Sequence, residues 1–255
     1  MKISKIEKNI LDDILLNLKD SNFFENHTFF SSTYDEAFGE EVEDWEDHMY
    51  YWRSGASKFV ILLDDIEDFN LVVKIPFMGR NKEKWDYDEQ CYENTNFCYF
   101  IGAEDGKDGW DYCAAEYNLY KIAEAQGLSA CFAAVDILKT DLKYPVYMQE
   151  KAVSFNDYYY DEESDHYSED ESKYTDEQLN STKEKCKENK ISNFNNLWLT
   201  DFIQYYGADM FVKFSQFIRD NNINDLHDGN IGYIGNRPVL IDYSGYIYQN
   251  GWEEY

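Results

Sequence analysis

The chain has little positive charge, no paired cysteines and no long apolar run, and each shortage argues against a class of protein. Its 255 residues include 23 Lys and Arg against 51 Asp and Glu, which gives a net charge of -28. Nucleic-acid binding requires clustered lysines and arginines, so direct binding of DNA or RNA is not expected. The same charge favours solubility and a basic protein partner, and it would suit mimicry of DNA.

The cysteines and the apolar segments carry two further exclusions. The five cysteines form no CxxC pair and have no histidine at ligand spacing, so free thiols in a reducing compartment are expected rather than a metal cluster. No segment approaches the roughly 18 consecutive apolar residues of a membrane helix, and the N-terminus has no cleavable apolar core. We therefore expect a cytoplasmic protein without membrane contact.

Aromatic residues are plentiful, and they make a large core feasible. The chain contains 23 Tyr and 17 Phe, and its length suffices for one large domain or two lobes around a cleft. We expect an N-terminal helix and acidic connector over residues 1–50, a β-rich lobe over 51–150 and a mainly helical lobe over 151–255. The last contains an acidic, low-complexity insertion at 154–190, with a short helix at its Lys-rich end.

Hydrophobic periodicity and turn residues predict an α+β fold. Apolar residues at helical spacing predict four helices: Ile3–Leu18, Asp111–Gln126, Asn195–Tyr206 and Ala208–Arg219. Short apolar runs predict four strands: Phe59–Leu63, Leu71–Ile75, Phe132–Leu138 and Tyr144–Glu150.

An oxygen-rich set of polar residues lies near the C-terminal end of the sequence. Asp225 is followed five residues later by Asn230, and Asp242 ends a short apolar segment. Carboxylate and amide oxygens suit Mg²⁺, a hard cation that also binds substrate phosphates. The pattern is typical of the catalytic and metal-binding loops of phosphoryl-transfer enzymes. The alternative is an ordinary β-hairpin with polar turns.

The full string, Asp225-Leu226-His227-Asp228-Gly229-Asn230 followed by Ile241-Asp242-Tyr243, resembles the protein kinase-like superfamily, especially its small-molecule kinase branch. The resemblance implies a two-lobed fold and the use of ATP and Mg²⁺. It implies that Asp225 is the catalytic base and that Asn230 and Asp242 bind the metal. His227 would contact the metal loop or the substrate, or serve a structural role.

Two further residues extend this resemblance. Lys74 is the one charge in the apolar run Val72-Val73-Lys74-Ile75, which is similar to the kinase strand whose lysine holds the nucleotide phosphates. Glu116 lies on the apolar face of a predicted helix and needs a partner to offset its desolvation. The resemblance implies that this partner is Lys74. The alternatives are Glu124 in place of Glu116, a solvent-facing lysine and a glutamate that reaches solvent.

The nucleotide-binding residues are implied by their order along the chain. Ser54 and Gly55 stand where the superfamily has a glycine-rich phosphate loop, although only one glycine is present. Met148 falls near the gatekeeper position. The backbone of Gln149 and Glu150 would then face adenine.

The sequence departs from the superfamily pattern in three places. Ile223 replaces the histidine that usually precedes the catalytic aspartate by two residues, and the triplet after the metal aspartate reads Asp242-Tyr243-Ser244, with Gly245 one place late. Only 13 residues follow Asp242, so we expect no activation segment and no peptide-docking platform.

Three functions fit these observations. The first is an ATP- and Mg²⁺-dependent phosphotransferase acting on a protein or small-molecule hydroxyl. The second is a kinase-like pseudoenzyme, and the third is an acidic interaction protein that inhibits a nucleic-acid-binding enzyme. Because the net charge repels ATP, local cations would have to dominate the nucleotide site: Lys58, Lys74, Arg53 and Arg237. The residue usage suggests a phage or bacterial source.

Overall fold

The structure is a computed structural model of the chain. It describes residues 2–20, 51–54, 58–62, 69–76, 79–80, 84–86, 91–93, 99–100, 111–142, 144–161, 166–167, 173–191 and 194–244. Most of the predicted acidic connector lies outside the described residues. Residues 1–114 and 135–149 form one compact unit, and residues 115–134 and 150–255 form a second.

The first unit is built on antiparallel strands. In chain order they are β1 (Tyr51–Ser54), β2 (Lys58–Leu62), β3 (Leu71–Pro76), β4 (Gly79–Arg80), β5 (Lys84–Asp86), β6 (Cys91–Glu93), β7 (Tyr99–Phe100), β8 (Val135–Leu138) and β9 (Val146–Glu150). Five of them form one sheet in the order β1-β2-β3-β9-β8, while β4 pairs with β7 and β5 with β6. The predicted strands are confirmed within three residues at each end, and Pro76 pairs with Lys58 as the last residue of β3 instead of lying beyond it.

The first helix, α1 (Lys5–Asp20), supplies part of the core of this unit. Ser4 begins it with a capping box, because its hydroxyl accepts from the Glu7 amide at 3.1 Å and its own amide donates to the Glu7 carboxylate at 2.8 Å. Its apolar face then packs in one buried cluster with the sheet, through Leu11, Ile14, Leu18, Phe59, Ile61, Val73 and Ile75. The helix predicted over Ile3–Leu18 is confirmed within two residues at each end.

The other helices are α2 (Tyr112–Ala125), α3 (Phe155–Tyr159), α4 (Asp176–Glu188), α5 (Asn196–Tyr206) and α6 (Ala208–Asp220). Gly207 separates α5 from α6 with φ +86°, a conformation that side-chain-bearing residues rarely adopt. The predicted break at this glycine is confirmed.

The predicted low-complexity insertion contains a regular helix of 13 residues, α4. Thr175 and Gln178 form a capping box at its start. The hydroxyl of Thr182 lies 2.8 Å from that of Thr200 on α5, and both residues are buried. The short helix predicted at the Lys-rich end is present, but it begins further upstream at Asp176, because its buried residues Thr182 and Cys186 contribute little to an apolar pattern.

Aromatic residues form the core of the second unit. Phe202 lies 4.5 Å from Phe214 and 5.3 Å from Trp198 between ring centroids, and all three side chains are fully buried. The predicted apolar stripe of α6 is confirmed as core: Phe211, Phe214, Phe217 and Ile218.

Short strands complete the second unit: β10 (Val153–Ser154), β11 (Tyr160–Asp161), β12 (His166–Tyr167), β13 (Ile231–Ile234) and β14 (Arg237–Leu240). They form a three-stranded sheet in the order β10-β13-β14 and a separate β11-β12 pair. The predicted α+β class is confirmed, while the kinase-like two-lobed arrangement stays a prediction. Of the helices described, none has the length and apolar character needed to cross a membrane.

Candidate functional site

The loop that contains Asp225 leaves α6 through a left-handed residue and is held by two buried side chains. Asn222 has φ +52°, and the Ile223 amide then donates to the Ile218 carbonyl at 3.0 Å. Ile223 and Leu226 are both buried. The intervening Asp225 keeps a quarter of its side chain exposed. Ile223, which replaces the expected histidine, thus fixes the loop by apolar packing.

Asn230 connects the two halves of the predicted site. Its side-chain amide donates to the Asp225 carbonyl at 2.9 Å, and its own carbonyl accepts from the amides of Ile241 at 2.8 Å and Asp242 at 3.4 Å. The side chain is 7% exposed. Asp225, Asn230 and Asp242 are therefore brought together, as the sequence predicts.

Asp242 follows β14 and is held by the residues after it. The hydroxyl of Ser244 donates to its carboxylate at 3.3 Å. Tyr243 is fully buried, with its ring edge on Phe132 at 5.0 Å and its hydroxyl donating to the Ala133 carbonyl at 3.0 Å. Tyr243, directly after Asp242, therefore combines an aromatic contact with a hydrogen bond to the backbone.

The segment Asp225–Asn230 precedes the β13–β14 hairpin and Asp242 follows it. The hairpin is therefore compatible both with a phosphoryl-transfer site and with an ordinary hairpin that has polar turns. Gly235 forms its turn with φ +62°. Gly232 has a different role, because a Cβ atom there would lie 2.1 Å from the Val153 carbonyl oxygen of β10. The Gly232 carbonyl also accepts from the Trp198 indole at 3.1 Å. This glycine therefore allows β10 to approach β13.

The contacts of His227 favour a structural role for its side chain. Its Nδ1 atom accepts from the Gly229 amide at 3.1 Å, so a neutral ring carries its proton on Nε2. Nε2 lies 3.7 Å from the Asp225 carboxylate. The imidazole therefore shapes the 3₁₀ turn at Asp228–Asn230 and directs an N–H towards Asp225.

Lys74 and Glu116 are buried, as the sequence predicts. Lys74 is 4% exposed in β3, where every residue is buried, and it stands opposite Val60 of β2. Glu116 is fully buried in α2. Lys74 belongs to the first unit and Glu116 to the second, so their pairing stays a prediction.

The predicted adenine-facing residues lie at the end of β9. The Glu150 amide donates to the Ala134 carbonyl at 2.9 Å, so a contact from this residue to adenine would have to use its carbonyl. Gln149 is fully buried as a whole residue, so its backbone has no exposed surface for a ligand. The adenine contact itself stays a prediction.

Arg237 forms an ion pair that sequence reasoning missed. Its guanidinium donates to the Glu150 carboxylate at 3.0 Å and to the Ala130 carbonyl at 2.8 Å. The same carboxylate accepts from the Ala134 amide at 3.0 Å. Arg237 is thus committed to protein groups, and its expected role as a phosphate-facing cation gains no support. Arg237 and Glu150 are 87 residues apart in the sequence, so no local sequence pattern predicts their contact.

The predicted phosphate loop lies largely outside the described residues. Ser54 ends β1 and pairs with Phe59, but its side chain is not described. Gly55 lies outside the described residues, as does the side chain of Arg53. Lys58, at the start of β2, is 4% exposed.

The donor set fits Mg²⁺ in its chemistry. Asn230 already uses its amide nitrogen as a donor to Asp225, which leaves the side-chain oxygen as the atom able to bind a cation. Asp242 adds a half-buried carboxylate. Within the described ranges, no group of three or more His, Cys, Asp or Glu side chains is placed to hold a metal. The donor set here is the Asn230 amide oxygen and the Asp242 carboxylate, and in kinases such a set is completed by substrate phosphates.

In comparisons with known proteins, no family model, no curated protein and no solved structure matches the chain.

Proposed function

We propose that the protein is an ATP- and Mg²⁺-dependent phosphotransferase that acts on a hydroxyl group of a protein or small molecule. One observation carries the proposal: Asn230 ties the Asp225 backbone to the backbone of Asp242 through hydrogen bonds of 2.8–3.4 Å. Phosphoryl transfer depends on positioning and on charge stabilisation, so such a preorganised set is what the chemistry requires.

Asp225 is the proposed base. Its carboxylate is partly exposed between two buried apolar residues, so it can accept a hydrogen bond from an incoming hydroxyl. His227 Nε2, 3.7 Å away, would orient the carboxylate.

Asn230 and Asp242 are the proposed metal ligands, through the Asn230 side-chain oxygen and the Asp242 carboxylate. The bound Mg²⁺ would neutralise charge on the nucleotide phosphates. The Ser244 hydroxyl, which donates to the Asp242 carboxylate at 3.3 Å, would limit its rotation.

Lys74 is the proposed phosphate-binding cation and Glu116 the group that orients it. Both are buried, and a buried charge is stable only with a partner of opposite sign or strong hydrogen bonds. This supports an ion pair of the kind that positions the phosphate-binding lysine in kinases.

A second candidate is an acidic protein that works by contact with a basic partner, with or without a bound nucleotide. The observation that favours it is the net charge of -28. A field of that sign repels ATP and attracts basic surfaces.

Calorimetry of MgATP binding, paired with a phosphate-transfer assay, distinguishes these candidates. Lys74→Met and Asp242→Asn should each weaken MgATP binding by at least about tenfold, which is ~1.4 kcal/mol. Asp225→Asn should retain binding and lose about 10²–10⁴-fold in transfer. Asp228→Asn is the matched control, since this half-buried acid of the same loop is outside the proposed set.

The absence of MgATP binding at millimolar nucleotide would refute the phosphotransferase. A basic partner that binds, and that loses affinity steeply with salt, would then support the contact function. MgATP binding without transfer would indicate a pseudoenzyme.

A further inference from the structure

The second unit contains a pocket of about 290 Å³ that belongs to none of the predicted sites. Four tyrosines line it, together with a carboxylate and an ammonium group: Tyr158, Tyr174, Tyr205, Tyr233, Asp201 and Lys173. Tyr158 and Tyr205 keep about half of their surface exposed, at 45% and 50%. Aromatic faces are therefore accessible to a ligand at this position.

The carboxylate of Asp201 is the polar centre of the pocket. It is only 10% exposed and accepts from Lys173 Nζ at 2.8 Å, from the Tyr233 hydroxyl at 2.6 Å and from the Tyr174 hydroxyl. Among these three donors of the described residues, two are neutral hydroxyls and Lys173 carries the formal positive charge. A buried carboxylate surrounded by aromatic rings is well suited to bind a cation.

The protein itself places an ammonium group in this environment. Lys173 Nζ lies 5.4 Å from the centre of the Tyr174 ring while it donates to Asp201. This geometry combines a cation–π contact with a charge-assisted hydrogen bond. The Lys173 side chain is 42% exposed, so it can leave the carboxylate without disturbing the core.

We propose that this pocket is a binding site for a primary alkylammonium ion, and that Lys173 is its internal occupant until an external ammonium replaces it. The external group is a free amine or a lysine side chain of another protein, which share the same chemistry. The net charge of -28 raises the local concentration of such cations and favours their encounter with the pocket.

The test compares n-butylammonium, which reproduces a lysine side chain, with its neutral analogue 1-butanol. Calorimetry at constant ionic strength is performed on the full chain and on Lys173→Ala, which removes the ammonium group and leaves the two tyrosine hydroxyls on the carboxylate. The variant should bind n-butylammonium at least about tenfold more tightly than the full chain does, and at least about tenfold more tightly than it binds 1-butanol. The full chain should still bind n-butylammonium measurably.

Three variants separate the pocket from general attraction of cations. Lys213→Ala removes one exposed lysine outside the pocket lining and should leave binding unchanged. Asp201→Asn, combined with Lys173→Ala, should abolish the preference for the charged ligand. Tyr205→Leu keeps an apolar wall without a π face and should weaken n-butylammonium binding by a few-fold. Because Tyr205 is half-exposed, the fold should tolerate this substitution.

The source of the ammonium is tested with N-acetyl-lysine methylamide. Equal binding of this compound and n-butylammonium supports a lysine of a partner protein, and binding of n-butylammonium alone supports a free amine. Equal affinity for n-butylammonium and 1-butanol would overturn the proposal. So would a gain in Lys213→Ala as large as that in Lys173→Ala, or no binding to the full chain at about a hundredfold excess over the variant's dissociation constant.

Discussion

Two regions of the protein hold buried or half-buried oxygen atoms: the catalytic-type loop (residues 223–244) and the Asp201 cluster (Lys173, Tyr174, Asp201 and Tyr233). They differ in how far apart in the sequence the bonded residues lie. In the loop, Asn230 is held by bonds to Asp225, five residues before it, and to the start of the segment after β14. In the cluster, Asp201 binds donors 27, 28 and 32 residues away. Bonded residues that are close in the sequence form a recognisable motif, whereas bonded residues that are far apart do not.

The largest effect expected from a single substitution in the loop is at Gly232. A Cβ atom in Gly232→Ala would meet the Val153 carbonyl oxygen at 2.1 Å, so the β10–β13 pairing must shift. We expect a loss of about 3 kcal/mol in the free energy of unfolding, measured by chemical denaturation. Gly235→Asn is the control, since asparagine tolerates the φ of +62° and no atom lies within 4 Å of its Cβ position.

Asp201→Asn tests the cluster in the same way. The substitution removes the charge that pairs with Lys173 and replaces one acceptor oxygen by an amide nitrogen, a donor that faces one of the two tyrosine hydroxyls. We expect a loss of about 1–3 kcal/mol in chemical denaturation. Asp209→Asn, an exposed acid in the first turn of α6, should cost a few tenths. Equal losses for the two variants would show that the cluster does not stabilise the fold.

The pH dependence of stability provides a second measure of the cluster. Burial, and then the hydrogen bond to Asp201, raises the pKa of Tyr174 above its ordinary value of 10.0. Above pH 10 the unfolded chain loses this proton first, so the folded state is destabilised as pH rises. Below pH 10 both states hold the proton and the contribution is constant.

Tyr174→Phe removes this proton, so the variant should lose less stability than the native chain between pH 10 and 11. The difference should be up to ~1.4 kcal/mol per pH unit. Denaturation curves at pH 8, 10 and 11 would check it, and parallel pH profiles of the two proteins would contradict it.

The smallest expected effect is at Tyr243, which supports the loop from outside the oxygen-rich set. Tyr243→Phe keeps the ring contact with Phe132 and removes the hydroxyl that donates to the Ala133 carbonyl at 3.0 Å. The carbonyl is left in a buried site, and we expect a cost of about 1 kcal/mol in the free energy of unfolding. Tyr205→Phe, at a half-exposed position, should change stability by less than about 0.5 kcal/mol.

Elements with local signals were predicted accurately. The boundary between α5 and α6 follows from Gly207, and the bounds of both helices agree with prediction within one residue. The convergence of Asp225, Asn230 and Asp242 follows from a short loop and a tight hairpin, which leave little freedom to their relative positions.

Features that depend on distant partners were not predicted. The sequence predicted only a short helix at the Lys-rich end of the insertion, whereas α4 begins at Asp176, because its buried residues Thr182 and Cys186 contribute little to a hydrophobic pattern. Arg237 was expected to face phosphate, and its contacts with Glu150 and Ala130 are set by strands far apart in the sequence. The ammonium site around Asp201 likewise depends on tyrosines from separate elements.

The most direct test of the proposed metal site is paramagnetic broadening in NMR spectra with MnATP. If Asn230 and Asp242 bind the metal, stoichiometric MnATP should broaden the side-chain amide signals of Asn230 and the backbone amide signal of Asp242. The amide signals of Asn236, exposed at the hairpin turn, should remain sharp, and Asp242→Asn should restore those of Asn230. Uniform broadening, or sharp signals from Asn230 at saturating MnATP, would contradict the account.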